Sequence, residues 1–145
     1  MFDNILVGYD GSTGAERALD KAIQLAKLSD ASLNVLTVYR RHSMLEASLS
    51  MVRASDPERL DDVMRGAARE AADRAKRHAQ QQGVEKVRAF IKSGPPARTI
   101  VAFARKHGLD LIVVGARGVG SAENYLLGSV SHKVTGIAPM PVLVV

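Results

Sequence analysis

"DLIVVGARGVGSAENYLLGSVSHKVTGIAPMPVLVV", residues 110–145, holds a strand, a glycine-bearing loop, a helix and a second strand in one run. "DLIVVG" (110–115) is continuously apolar rather than alternating, the pattern of a strand buried on both faces of a parallel sheet. Gly115, Gly118 and Gly120 follow it. Gly128-Ser129 then opens a helical segment that stops before "APMP", and "PVLVV" (141–145) is a strand again.

Upstream the same alternation recurs. "NILVGYD" (4–10), "SLNVLTVY" (32–39) and "KVRAFIKS" (86–93) read as strands. The first intervening helix carries Ala15, Ala18, Leu19, Ala22, Ile23 and Ala26 on one face. It opens at Ser12 or Thr13, with Glu16 three residues after Thr13 at capping-box spacing. The second opens with Asp56 as cap and Pro57 in its first turn. Its stripe runs through Leu60, Val63, Met64, Ala67, Ala71 and Ala75 to a stop at Gly83. The third follows Pro95-Pro96 and ends at His107-Gly108. Strand and helix in strict turn predict a doubly wound, Rossmann-like α/β sandwich of three layers with right-handed crossovers. The one long irregular stretch, "RRHSMLEASLSMVRAS" (40–55), reads as a surface connection.

Composition narrows the function classes. A chain of 145 residues with 46% hydrophobic content suits one domain, 1–145, with one complete core. No apolar run reaches membrane-span length and no signal-peptide pattern opens the chain, so a soluble cytoplasmic protein is expected. The absence of cysteine excludes disulfides, thiolate metal sites and cysteine nucleophiles. His42, His78, His107 and His132 are scattered without metal-ligand spacing. Twenty basic against fifteen acidic residues give +5, which favours anions in general. The densest basic run, "RAKRH" (74–78), lacks interleaved aromatics and reads as a solvated helix face, not a nucleic-acid patch.

Ligands of open α/β sheets sit at the carboxyl ends of strands where successive connections diverge. "GYDGSTG" and "GARGVGS" end the first and fourth strands, and if those strands are neighbours their loops form two lips of a crevice. Glycine there lets a ligand approach bare backbone N–H groups, and a helix starting at Gly128-Ser129 adds its unpaired donors and dipole. That is a phosphate site. A Walker A loop is excluded because Gly120 precedes Ser121-Ala122 instead of a lysine. A GxGxxG fingerprint from Gly118 meets Glu123 in place of its third glycine.

The spacing Gly115-x2-Gly118-x9-Gly128-Ser129 resembles the G-x2-G-x9-G-[ST] signature of universal stress proteins of the UspA superfamily, in their ATP-binding branch. "ILVGYDGS", "SGPPARTIVAFARKHGLDLIVVGARG" and "LLGSVSHKVTGIAPMPVLVV" extend the likeness over nearly the whole chain. The resemblance implies a five-stranded parallel sheet of order 3-2-1-4-5 flanked by four helices. It implies an adenine nucleotide, ATP first, with Gly8 and Asp10 beside it and Asp10 near ribose or a phosphate-bound Mg. Val38 would meet adenine through its backbone, with Thr37 alongside. Gly115, Ala116, Arg117, Gly118, Val119, Gly120 and Ser121 would wrap ribose and phosphates, and Gly128, Ser129, Val130 and Ser131 would bind the phosphate tail.

Two function classes follow, a stress-response binding module and a slow Mg-dependent ATPase, with a cyclic AMP or AMP sensor as a variant of the first. No nucleophile or general base is evident, which favours binding. The apolar last strand would be a sheet edge, and a homodimer pairing Val142, Leu143, Val144 and Val145 is expected.

Overall fold

In the computed structural model, residues 1–41, 57–117 and 127–145 are described. Their elements run β1 (Asn4–Gly8), α1 (Thr13–Ser29), β2 (Ser32–Tyr39), α2 (Pro57–Gln81), β3 (Val87–Ser93), α3 (Pro96–Lys106), β4 (Leu111–Val114), α4 (Ser129–Ile137) and β5 (Val142–Val144). All strands are parallel, in the order β3-β2-β1-β4-β5. The doubly wound α/β sandwich and its strand order therefore stand as expected.

Period-two alternation sorts the strand side chains onto two layers. Ile5, Val7, Leu33, Val35, Leu111 and Val113 point to α1 and α2. Leu6, Leu36, Ile112 and Val114 point to α3 and α4, where they meet Ile100, Val101, Phe103 and Val134. Ile5, Leu6 and Val7 of the central strand are wholly buried. At about 1.5–3 kcal/mol per large apolar side chain, that segment anchors both layers. The Asp110 carboxylate ties β4 to β1 at their amino ends, accepting from the backbone N–H of Asp3 (2.9 Å) and Asn4 (3.0 Å).

Two helix expectations need correction. Ser12, not Thr13, is the N-cap of α1, its hydroxyl accepting from Ala15 N–H at 3.1 Å. Glu16 is then one residue too late to close a capping box, and it instead accepts a hydrogen bond from the Tyr9 hydroxyl. In α2 the buried stripe is Ala68, Ala72, Ala75 and Ala79, while Val63 is 61% exposed. Only alanine lets this helix lie close on β2 and β3, so its larger apolar residues do not mark the inward face. The Asp56 cap lies outside the described residues.

β2 and β3 end where expected, at Tyr39 and Ser93, while β1, β4 and β5 stop one or two residues early at their carboxyl ends. The first stops at Gly8 instead of Asp10, because the Asp10 carboxylate accepts from Ser12 N–H (2.9 Å) and turns the chain into α1.

Candidate functional site

The order β2-β1-β4 places the turn after β1 beside the loop after β4, as the crevice reading requires. The far end of that second loop is fixed by hydrogen bonds to its near end. The Ala116 carbonyl accepts from Gly128 N–H (2.6 Å) and from the Ser131 hydroxyl (2.8 Å), while Ala116 N–H donates to the Val145 carbonyl (2.8 Å). These bonds join Ala116 at the exit of β4 to Gly128 and Ser131, and so deliver α4 to the carboxyl end of β4.

The N-terminus of α4 has no side-chain cap, because its N-cap is Gly128 in extended geometry (φ −65°, ψ 162°). The first intrahelical bond runs from His132 N–H to Gly128 C=O. The N–H groups of Ser129, Val130 and Ser131 precede it and lack helical partners. They form a donor set of the kind that takes an anion.

Ser131 departs from its expected role. Its hydroxyl donates to the carbonyls of Ala116 and Gly128 (3.1 Å) and the residue is 2% exposed. The side chain positions the loop, and only its backbone N–H is left for a ligand.

Two glycines also serve packing. A Cβ on Gly115 would lie 2.7 Å from the carbonyl carbon and oxygen of Gly14, and one on Gly14 would lie 2.2 Å from the Arg117 carbonyl oxygen. The start of α1 and the exit of β4 thus meet backbone to backbone. Gly14 is a site-shaping residue that the sequence reading missed; its signal was a glycine two residues inside a capped helix. A Cβ on Gly8 would meet Ile100 Cδ1 at 3.1 Å and Val114 Cγ1 at 3.4 Å, so Gly8 makes room for α3.

On the other lip, Asp10 is exposed, with one carboxylate oxygen engaged by Ser12 N–H. Tyr9 beneath it is 3% exposed. Burial, and then the hydrogen bond and charge of Glu16, push its phenol from 10.0 up to about 12 against an opposing pull from Arg74 of α2.

Tyr9 N–H donates to the Leu36 carbonyl (2.9 Å), so even-numbered backbone groups of β2 point toward β1. Val38, two residues on, turns its N–H and C=O the same way, into the space that β1 vacates after Gly8. Thr37 points to the α1 and α2 side, where it is 5% exposed and its hydroxyl has no partner among the described residues. Gly8, Asp10, Val38, Gly115, Ala116, Arg117, Gly128 and the first turn of α4 thus come together at one end of the sheet. Gly118, Val119, Gly120 and Ser121 lie outside the described residues.

Among the described residues no group of three His, Asp or Glu could hold a metal ion. No described helix is long and apolar enough to cross a membrane.

Fold and crevice together define a doubly wound α/β protein with a crevice at the carboxyl ends of its neighbouring strands β1 and β4. The chain belongs to the universal stress protein family, whose sequence pattern matches residues 1–145. It is 36% identical to the universal stress protein YxiE of Bacillus subtilis over 148 aligned positions, covering 100% of this chain and 99% of that protein. Universal stress protein UspA from Lactobacillus plantarum superposes with a TM-score of 0.84 at 30% identity, over 99% of this chain and 97% of that one. A universal stress protein solved in complex with cAMP superposes at 0.74 with 26% identity, over 99% and 96%.

Proposed function

We propose that this chain is a cytoplasmic stress-response module that binds an adenine nucleotide, with ATP first and AMP or cyclic AMP as alternatives. The observation that carries the reading is the side-chain-free start of α4, held against β4 through Ala116. The N–H groups of Ser129, Val130 and Ser131 would hold the phosphate chain, and the Val38 backbone would meet the base edge. The cAMP-bound relative supports an adenine nucleotide as the ligand class. Where Mg accompanies ATP, the exposed Asp10 carboxylate is the side chain on this lip suited to share it with phosphate oxygens. The nucleotide in this reading is a signal to be sensed, and the chain's own groups orient it without moving a proton.

A homodimer belongs to the same proposal. The hydrogen bonds of Val145 with Val114 and Ala116 turn odd-numbered backbone toward β4. Val142 and Val144 therefore face outward along an uncharged apolar edge, where a second copy would pair.

Gly128→Asp tests the site. Gly128 has extended dihedrals that L residues adopt, and an aspartate N-cap stabilises a helix by roughly a few tenths of a kcal/mol relative to glycine. Its carboxylate would also occupy and repel the phosphate position. Calorimetric titration with ATP, AMP and cyclic AMP, with and without Mg, should show affinity lost by at least about tenfold alongside an unchanged or higher Tm. Unchanged affinity would remove the phosphates from α4.

A further inference from the structure

The β3 edge, away from the crevice, carries its own chemistry. Arg88, Phe90 and Lys92 alternate onto the α3 side of the sheet, where the Phe90 ring lies 4.9 Å from that of Phe103. Lys92 and the flank of α3 enclose a groove of about 330 Å³ lined by Lys92, Arg98, Thr99, Ala102, Phe103 and Lys106. Arg98, Ala102 and Lys106 stand four residues apart and form one exposed stripe. The two cations on it are about 12 Å apart along the helix. No carboxylate lines the groove, and none of its three cations has an ion-pair partner among the described residues.

Among the described residues no strand pairs with the outer edge of β3. Lys86 C=O and Gly94 N–H bond to β2, so even-numbered backbone of β3 faces inward and that of Ala89, Ile91 and Ser93 faces outward. The Arg69 guanidinium covers the Ala89 carbonyl at 3.3 Å. Among the described residues nothing pairs with Ile91 or Ser93 on that side.

Such an edge rejects a second copy of itself, because self-pairing sets Arg88 and Lys92 near like charges. The same charges select an acidic strand. We propose that the β3 edge and the α3 flank form a docking groove for an extended acidic segment of a partner protein, added as a sixth strand. Its residues opposite Arg88, Phe90 and Lys92 would be acidic, apolar and acidic, two positions apart on one face, with the acids also within the field of Arg98 and Lys106. A polypeptide fits better than a nucleic-acid strand because the outward N–H and C=O groups call for a backbone partner and the centre of the groove is apolar.

Fluorescence anisotropy with a labelled peptide whose core runs Glu, Thr, Val, Thr, Glu tests this on the intact protein at physiological salt. The expected result is saturable binding, weakened about tenfold or more by Arg98→Glu with Lys106→Glu. Both residues are exposed, so that variant should keep its circular dichroism spectrum. A proline-interrupted peptide of the same charge should bind as weakly as the acidic peptide does to the variant. Absence of peptide binding overturns the proposal. So does equal binding of the proline peptide, which would reduce the groove to a charge patch. Tighter binding of an oligothymidylate than of the peptide would also overturn it, in favour of nucleic acid.

Discussion

Replacing Gly14 and Gly66 by alanine, one at a time, sets two opposing effects against each other. Both glycines lie within helices, where alanine is favoured by about 0.8–1 kcal/mol, somewhat less in the first turn where Gly14 sits. At Gly66, exposed on α2, an added Cβ meets nothing within 4 Å, so the propensity gain stands alone. At Gly14 the added atom would lie 2.2 Å from the Arg117 carbonyl oxygen, a backbone atom that cannot rotate aside. Overpacking of this kind costs about 1–3 kcal/mol, which exceeds the gain and leaves a net loss on the order of 1–2 kcal/mol. For a chain of this length 1 kcal/mol corresponds to about 3 °C in Tm. Thermal unfolding followed by circular dichroism should therefore show Gly66→Ala about 3 °C higher and Gly14→Ala about 3–6 °C lower than the parent. The displaced residue 117 backbone also borders the crevice, so nucleotide affinity should fall for Gly14→Ala and not for Gly66→Ala. A Gly14→Ala protein stabilised like Gly66→Ala would refute the backbone contact between α1 and the β4 loop.

Other consequences are equally open to measurement. The folded Tyr9 phenol titrates near 12 against 10.0 for an unperturbed tyrosine, so its contribution is complete below pH 10 and lost as pH rises through 12. Discounted for solvent screening, that is about 1–2 kcal/mol of alkaline destabilisation, which urea titrations at stepped pH should find in the parent and miss in Tyr9→Phe. Thr37→Val removes a buried hydroxyl without a described partner and should stabilise the ligand-free protein by about 1 kcal/mol; destabilisation would mean that the hydroxyl is satisfied. Val144→Pro deletes an outward N–H of β5, and sedimentation equilibrium should find the dimer weakened while the sheet's own ladder persists. A parent that sediments as a monomer at micromolar concentration would dispose of the dimer.

The strands were legible because burial on both faces leaves uninterrupted apolar runs such as those ending at Val114 and Val145. The α1 face was legible in all but Gly14, since Leu19 and Ile23 punctuate its alanines at helical spacing. In α2, where alanine occupies both buried and exposed positions, hydrophobicity cannot tell Ala67 from Ala68, and the stripe was read beside its true place. The crevice was legible as two turns and not as contacts. Nothing local in the sequence tells that Ser131 turns its hydroxyl back onto Ala116, because that bond depends on where the loop closes. Nor does any local pattern join Gly14 to Arg117, which are brought together only by the pairing of β1 with β4.

That distinction divides the glycines of the motif by physical task. Gly115 is small because a neighbouring backbone occupies the space where a Cβ would stand, so its identity follows from packing α1 onto the sheet. Gly128 has ordinary extended dihedrals that any residue adopts, and its identity cannot follow from conformation. A serine or aspartate would cap α4 better on stability grounds alone, by roughly a few tenths of a kcal/mol. A glycine there forgoes that stabilisation and leaves the first turn without a capping side chain. Among the described glycines of the loop, it is therefore Gly128, and not Gly115, whose presence argues for an anion, and a substitution at Gly128 separates binding from folding where one at Gly115 would disturb both.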